Sequence, residues 1–268
     1  MTKNILEEII GNKKKEVEEA KDRFQLDKLK KLISQKEIKK RDFFNNLKVK
    51  VEKKEIGLIA EVKKASPSKG ILKEDFNHIE IAKAYEAGGA SCLSILTDKK
   101  YFQGNLNHIA DIKEMVELPI LRKDFIIDPY QIYESIYYGA DCILLIASAL
   151  EKDMLKRLLE LSIENNIDTL TEVHNKREIE TALEIGTNLI GINNRDLNTF
   201  EADLNTSKKL VTYYKKDLIN KIIVSESGIF TNKDIKSLTE HNIYAFLVGE
   251  GLIKENDIES ATKELINF

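Results

Sequence analysis

The sequence predicts a (β/α)8 barrel, and three observations carry that prediction. Short apolar runs rich in β-branched residues recur eight times from Ile56 onward, longer amphipathic segments separate them, and chemically competent polar residues gather where the apolar runs end. The runs are GLIAEV (57–62), ASCLSIL (90–96), PILRKDF (119–125), DCILLI (141–146), IDTLTEV (167–173), LIGINN (189–194), KIIVSES (221–227) and YAFLVG (244–249). Their starts lie roughly 20 to 33 residues apart, the length of a βα unit. Strands alternating with helices imply a parallel sheet, and a count of eight favours closure into a barrel. A doubly wound open sheet would want G-x-G-x-x-G after its first strand, and none is there.

The intervening segments have helical periodicity, among them HIEIAKAYEAG, DPYQIYESIYYG, EKDMLKRLLELSIENN and NKREIETALEIG. Gly88, Gly139 and Gly186 end three helices, where a chain leaves through a left-handed residue. The first 50 or so residues read as further helices: Ile5, Leu6, Ile9 and Ile10, then Leu26, Leu29, Leu32 and Ile33, recur at helical spacing. Their lysine-rich parts read as solvated faces. The 268 residues are expected to form one barrel domain, of which residues 1–50 are an N-terminal extension.

Composition narrows the function classes. Apolar residues make up 42% of the chain and charged residues 32%, enough for a large core under a solvated surface. Lys and Arg number 42 against 45 Asp and Glu, a formal charge of −3, so no general field draws nucleic acid or a membrane surface, and any bound anion must be held locally. Cys92 and Cys142 sit inside apolar runs and read as buried structural thiols. The N-terminal stretch has no apolar signal region, no segment approaches the ~18 apolar residues of a span, and a cytoplasmic location is expected.

Barrel enzymes carry their active sites at the C-terminal ends of the strands. Here the first run ends with Glu61 and Lys63, which at i and i+2 point to one face. The third ends with Lys123 and Asp124, the fifth with Glu172 and His174, the sixth with Asn193, Asn194 and Arg195, the seventh with Ser225, Glu226 and Ser227. Any one of these could be an ordinary surface residue; agreement at five strand ends argues for a site. Gly228 after the seventh run and Gly249 after the eighth stand where backbone N–H groups can approach an oxyanion, the position of the barrel phosphate site.

Taken in order, AEVKKASPSKG, LSILTDKKYFQGN, PILRKDFIIDPYQIYES, TEVHNKRE, IGINNRDLNTF, VSESGI and LVGEGLI resemble the indole-3-glycerol phosphate synthase family over nearly the whole chain. Gly251 and Ile253 depart from that family's usual Ser or Ala and Met. The resemblance implies N-terminal helices over the barrel mouth. It also implies a tryptophan-pathway reaction in which 1-(2-carboxyphenylamino)-1-deoxyribulose 5-phosphate is cyclised, decarboxylated and dehydrated with neither cofactor nor metal.

Transferred position by position, Lys123 resembles the general acid at the ketone, Glu172 the acid/base of dehydration and Glu61 its partner carboxylate. Lys63 resembles the lysine at the substrate carboxylate, while Asn193 and Ser227 match residues that hold hydroxyls. Arg195 would orient nearby carboxylates, and Ser66 lies in a loop expected to close over the site. Phe102, Phe125 and Leu144, with Leu96 and Ile146, would wall the anthranilate ring, and Gly228, Gly249 and Glu250 would form the phosphate site. The partner implied is a phosphorylated small molecule, with the protein a monomer in at most weak association with other tryptophan-pathway enzymes. Three rivals stand beside this reading: a Schiff-base lyase or isomerase using Lys123 or Lys63, a barrel that binds without turnover, and a metal-dependent barrel, for which only His174 is suitably placed.

Overall fold

In the computed structural model, residues 5–196 and 199–267 are described; Leu197 and Asn198, inside the IGINNRDLNTF stretch, lie outside them, as do the first four residues and Phe268. Eight parallel strands close into a barrel: β1 (Gly57–Val62), β2 (Cys92–Leu96), β3 (Ile120–Lys123), β4 (Cys142–Ile146), β5 (Asp168–Val173), β6 (Leu189–Asn193), β7 (Ile222–Glu226) and β8 (Ala245–Val248). Each pairs with its sequence neighbours, and β1 pairs with β8 to complete the ring. Every expected strand is present, some trimmed at the ends. The third stops at Lys123, and the seventh stops at Glu226 because Ser227 turns into the left-handed region at φ +68°.

The alternation of side chains along these strands decides where the charges go. On β1, Leu58, Ala60 and Val62 face the surrounding helices, whereas Ile59 faces the barrel interior, which puts Glu61 on the interior face one layer higher. The same two-residue step leads from Leu121 to Lys123, from Leu170 to Glu172 and from Val224 to Glu226. Each of these four strands is thus apolar inside one layer down and charged inside at its end. Register keeps the ends level: Leu96 pairs with Lys123, Ile146 with Glu172 and Asn193 with Glu226.

The N-terminal extension divides between the two ends of the barrel. Helix α1 (Ile5–Arg23) crosses the mouth as expected, with Ile5, Leu6 and Ile9 lining the cavity below it. Helix α2 (Leu26–Gln35) packs against the Pro129–Tyr138 helix on the flank. Helix α3 (Phe43–Glu52) plugs the opposite end, where Phe43 and Leu47 are fully buried against the first residues of several strands, including Cys92, Cys142, Leu189 and Ala245. A buried and a half-buried carboxylate secure this plug. Asp141 accepts the Arg41 N–H at 2.7 Å and Asp168 the Phe44 N–H at 3.0 Å.

Two local expectations are corrected. Gly139 and Gly186 are left-handed at φ +90° and +85°, but Gly88 stays right-handed at φ −71° and the left-handed exit is Gly89. Gly88 serves a close approach instead, since a Cβ there would meet the Thr262 side chain at 2.5 Å. Nor is the lysine-rich face of α1 wholly solvated. Lys13 is 4% exposed and pairs with Asp98 at 3.0 Å, Asp124 at 2.8 Å and Glu16 at 2.7 Å, bolting α1 to the barrel rim.

The end-plug role of α3 leads to a stability test. Phe43→Ala empties a fully buried site and is expected to cost about 3–5 kcal/mol in denaturant unfolding. Because Phe43 lies at the end away from the cavity, the KM of the folded variant should stay within about twofold of wild type.

Candidate active site

The C-terminal ends of the strands enclose a cavity roofed by α1 and rimmed by the loops after β1, β6, β7 and β8. At its floor stands Lys123. Its ammonium lies 2.9 Å from Glu172 Oε2 and 2.7 Å from Glu226 Oε2, so one cation is shared by two buried carboxylates. Burial works against the lysine's charge, yet the two carboxylates outweigh it and hold Lys123 well above the ordinary lysine range. Glu172 and Glu226 diverge. Burial opposes the Glu172 charge, but Lys123 and His174 together hold its carboxyl below the usual range. Burial, with the Glu172 charge added, pushes Glu226 above that range despite Lys123. A pair of carboxyls driven apart in this way is a common arrangement for acid/base work.

The second oxygen of Glu172 accepts from Asn193 Nδ2 at 3.2 Å, and Asn193 Oδ1 in turn accepts the Arg195 N–H at 3.0 Å, which fixes the amide's orientation. Across the cavity Lys63 pairs with Glu61. Two glycines make these carboxylates possible. A Cβ at Gly191 would fall 1.9 Å from Glu226 Oε1, and one at Gly249 would fall 2.4 Å from Glu61 Oε1. Gly249 therefore clears space for a charged group as well as presenting backbone at the rim.

The structure brings every predicted site residue to this one cavity. Ser66 lies on the Ala65–Ser66/Gly70–Ile71 hairpin at the entrance. Phe102, Phe125 and Leu144, with Leu96 and Ile146, form an apolar wall, the two phenylalanine rings 6.3 Å apart. Ser227 and Gly228, both left-handed at φ +68° and +78°, line the rim beside Gly249 and Glu250 of the adjacent loop. The Glu250 carboxylate is occupied by Lys254 at 2.7 Å and Arg195 at 3.7 Å, which leaves its main-chain N–H as the group suited to an anion. Arg195 also donates to the Phe200 carbonyl at 2.6 Å, bracing the loop after β6. Gly251, where the chain departs from the family pattern, packs on the neighbouring loop: a Cβ there would stand 2.9 Å from the Ile229 carbonyl oxygen.

Three other strand-end polar residues have structural duties. Asp124 is enclosed by Lys13, Arg122 at 3.2 Å and Thr97 at 2.5 Å. Asn194 and Ser225 hydrogen-bond to each other at 2.9 Å and both reach Ser207, behind the barrel wall. Sequence reasoning noted Glu226 but selected its neighbour Ser227 for the catalytic set. The two-residue step from Val224 was the available signal that Glu226 points inward. Ile5, Leu6, Ile9, Phe200 and Leu247 also line the cavity without having been selected, and for the α1 residues no signal in the sequence links them to a strand end.

Comparison with known proteins follows the same line. Residues 6–265 match the family model described as indole-3-glycerol phosphate synthase. The chain belongs to the indole-3-glycerol phosphate synthase family. Proteins of that name from Alkaliphilus metalliredigens and Legionella pneumophila are each 46% identical to it, over 97% of both chains in the first case and 98% in the second. The one from Thermoanaerobacter pseudethanolicus is 47% identical, covering 93% of this chain and 92% of its own. Among solved structures, 3-hexulose-6-phosphate synthase superposes with a TM-score of 0.59 at 13% identity, covering 78% of this chain and 98% of its own. KGPDC from Streptococcus mutans gives 0.58 at 14%, covering 79% and 95%. These two likenesses concern the barrel fold alone. The function that goes with the family is the carboxy-lyase step of tryptophan biosynthesis yielding indole-3-glycerol phosphate.

The glycine clearances are testable. Gly191→Ala should force the Glu226 carboxylate away from Lys123 and lower kcat at least tenfold. Its melting temperature should stay close to wild type, because the β6 backbone tolerates a side chain and the obstructed group is the end of a flexible one.

Proposed function

We propose that the cavity carries out cyclisation, decarboxylation and dehydration with Lys123 as general acid at the ketone oxygen. The observation that carries this is the seating of one half-buried lysine between two buried carboxylates of divergent protonation. A lysine whose charge is secured by both neighbours is a donor at neutral pH, and a developing alkoxide is basic enough to take its proton. The new bond joins the ring carbon that bears the carboxylate to the former ketone carbon. Lys63, paired with Glu61 near the hairpin, meets the carboxylate that then leaves as carbon dioxide. Glu172, partnered by Glu61, removes and returns the protons of dehydration, so that the former ketone oxygen leaves as water. Because a carboxylate is lost as neutral carbon dioxide, each turnover consumes one proton, which suits a site where a neutral carboxyl and a charged one coexist.

Binding follows the same geography. Phe102, Phe125 and Leu144 wall the aromatic ring, Asn193 and Ser227 hold hydroxyls, and Arg195 orients Glu250 and the loop after β6. Ser66 sits on the hairpin that closes the entrance, and the backbone N–H groups of Gly228, Gly249 and Glu250 take the phosphate. The protein acts on its phosphorylated substrate as a single monomeric domain in the cytoplasm, associating at most weakly with other enzymes of the pathway. Two buried, unpaired thiols are compatible with that compartment. The Schiff-base alternative requires a neutral amine, and the carboxylates around Lys123 oppose one.

A fluorescence assay for indole-glycerol formation, run on wild type and Lys123→Ala, tests the assignment. Turnover should fall by three orders of magnitude or more, equivalent to about 4 kcal/mol of transition-state stabilisation. Borohydride added with substrate should leave no covalent adduct; a trapped adduct on Lys123 would reverse the choice between acid and nucleophile.

A further inference from the structure

Outside the residues given roles above, the closest titratable contact to the reacting cluster is made by His174. It follows β5 directly and, two residues beyond Glu172, turns toward the same side of the strand. Its Nε2 lies 3.3 Å from Glu172 Oε1, an ion-pair distance without the alignment of a hydrogen bond. Its Nδ1 lies 3.0 Å from Glu178 Oε2, and the same oxygen accepts the His174 main-chain N–H at 2.7 Å. Glu178 is itself immobilised, because Asn175 donates to its other oxygen at 2.5 Å and caps its N–H at 3.1 Å. A chain of fixed groups therefore runs from the start of the Lys176–Glu184 helix, through an imidazole, to a carboxylate facing the cavity.

We propose that His174, held as a cation by Glu178, is a positioning residue that fixes the Glu172 carboxylate through the oxygen not taken by Lys123. The inference rests on the acid/base role given to Glu172 above. Glu172 then has a defined donor or cation at each oxygen: Lys123 at Oε2, Asn193 and His174 at Oε1. The charges facing the imidazole are Glu172 on β5 and Glu178 on the adjoining helix, with Lys123 and Glu226 beyond Glu172. Although burial disfavours its charge, contacts with the two carboxylates raise His174 to about 10, so it is charged throughout the neutral range. A catalytic carboxylate is held in place most firmly when the neighbour that steadies it is itself oriented by a partner, as Glu178 orients His174.

The test uses the full chain and compares His174→Ala, His174→Gln and Glu178→Gln by single-turnover rate, KM and pH profile, with Glu172→Gln and the His174→Ala/Glu172→Gln double variant alongside. His174→Ala should lower the single-turnover rate about 10- to 100-fold, part of the ~10²–10⁴ that a positioned acid/base contributes. KM should remain within about twofold, since His174 is not among the residues that line the cavity. Removing a neighbouring cation raises the pKa of Glu172, so the acid limb of the rate profile should move to higher pH. His174→Gln, which keeps a donor without a charge, should show the moved limb with a smaller loss of rate, and Glu178→Gln should lie between it and wild type. In the Glu172→Gln background, His174→Ala should cost nothing further. An unmoved limb with wild-type rate, or the same fractional loss in both backgrounds, overturns the role of His174. Near wild-type turnover in Glu172→Gln would instead overturn the reading of Glu172 itself. If His174→Ala melts below the assay temperature, the His174→Gln and Glu178→Gln limbs decide the question.

Discussion

Keeping five ionisable groups in the top layer of a closed barrel is the constraint on which the rest of this structure depends. Each ion taken out of water costs several kcal/mol unless a partner and hydrogen bonds compensate. The top layer meets that demand by pairing Lys123 with two glutamates and Lys63 with Glu61. Space had to be cleared for the arrangement, and Gly191 and Gly249 clear it, because any side chain there would occupy the position of a carboxylate oxygen. The apolar residues beneath, from Ile59 to Val224, keep these charges desolvated from below, and Leu6 and Ile9 of α1 do so from above.

That desolvation is what gives the groups different acidities. Glu172 and Glu226 contact the same ammonium, yet one is stabilised as an anion and the other is pushed toward its neutral form. The asymmetry arises from their other neighbours. Glu172 has Asn193 and His174 at its second oxygen, while the second oxygen of Glu226 faces the bare backbone of Gly191. Two carboxyls at one lysine can then take different parts in a reaction that both consumes and relocates protons, a division that uniform pairing would not provide.

The same economy governs the two ends of the barrel. A closed ring of short strands leaves its ends open, and an open end above buried charges would admit water that screens them. Helix α3 fills the end where the inward residues are mostly apolar, with Phe43 and Leu47. Helix α1 covers the end that must admit substrate, and its attachment is polar: Lys13 joins it to Asp124, the residue next to Lys123. Packing, with main-chain hydrogen bonds to Asp141 and Asp168, secures the closed end, and a buried ion cluster secures the working end.

Most of the fold and much of the site were legible in the sequence, because both rest on short-range regularities. Eight short apolar runs rich in β-branched residues, spaced by amphipathic segments, are enough to predict strands. Polar residues at their ends, such as Glu61, Lys123, Glu172 and Asn193, are enough to predict which face bears the chemistry. What the sequence alone could not decide were contacts made across the barrel or from outside it. Glu226 differs from Ser227 by one position, and only barrel closure shows that its carboxylate meets Lys123. Lys13 looks like any helix-surface lysine until α1 is laid against Asp98 and Asp124. The division of the N-terminal helices between mouth and base likewise depends on which end of the ring offers an apolar hole. Local pattern determines which face of an element is buried; which partner it is buried against is decided by closure, since distant residues become neighbours only when the ring completes.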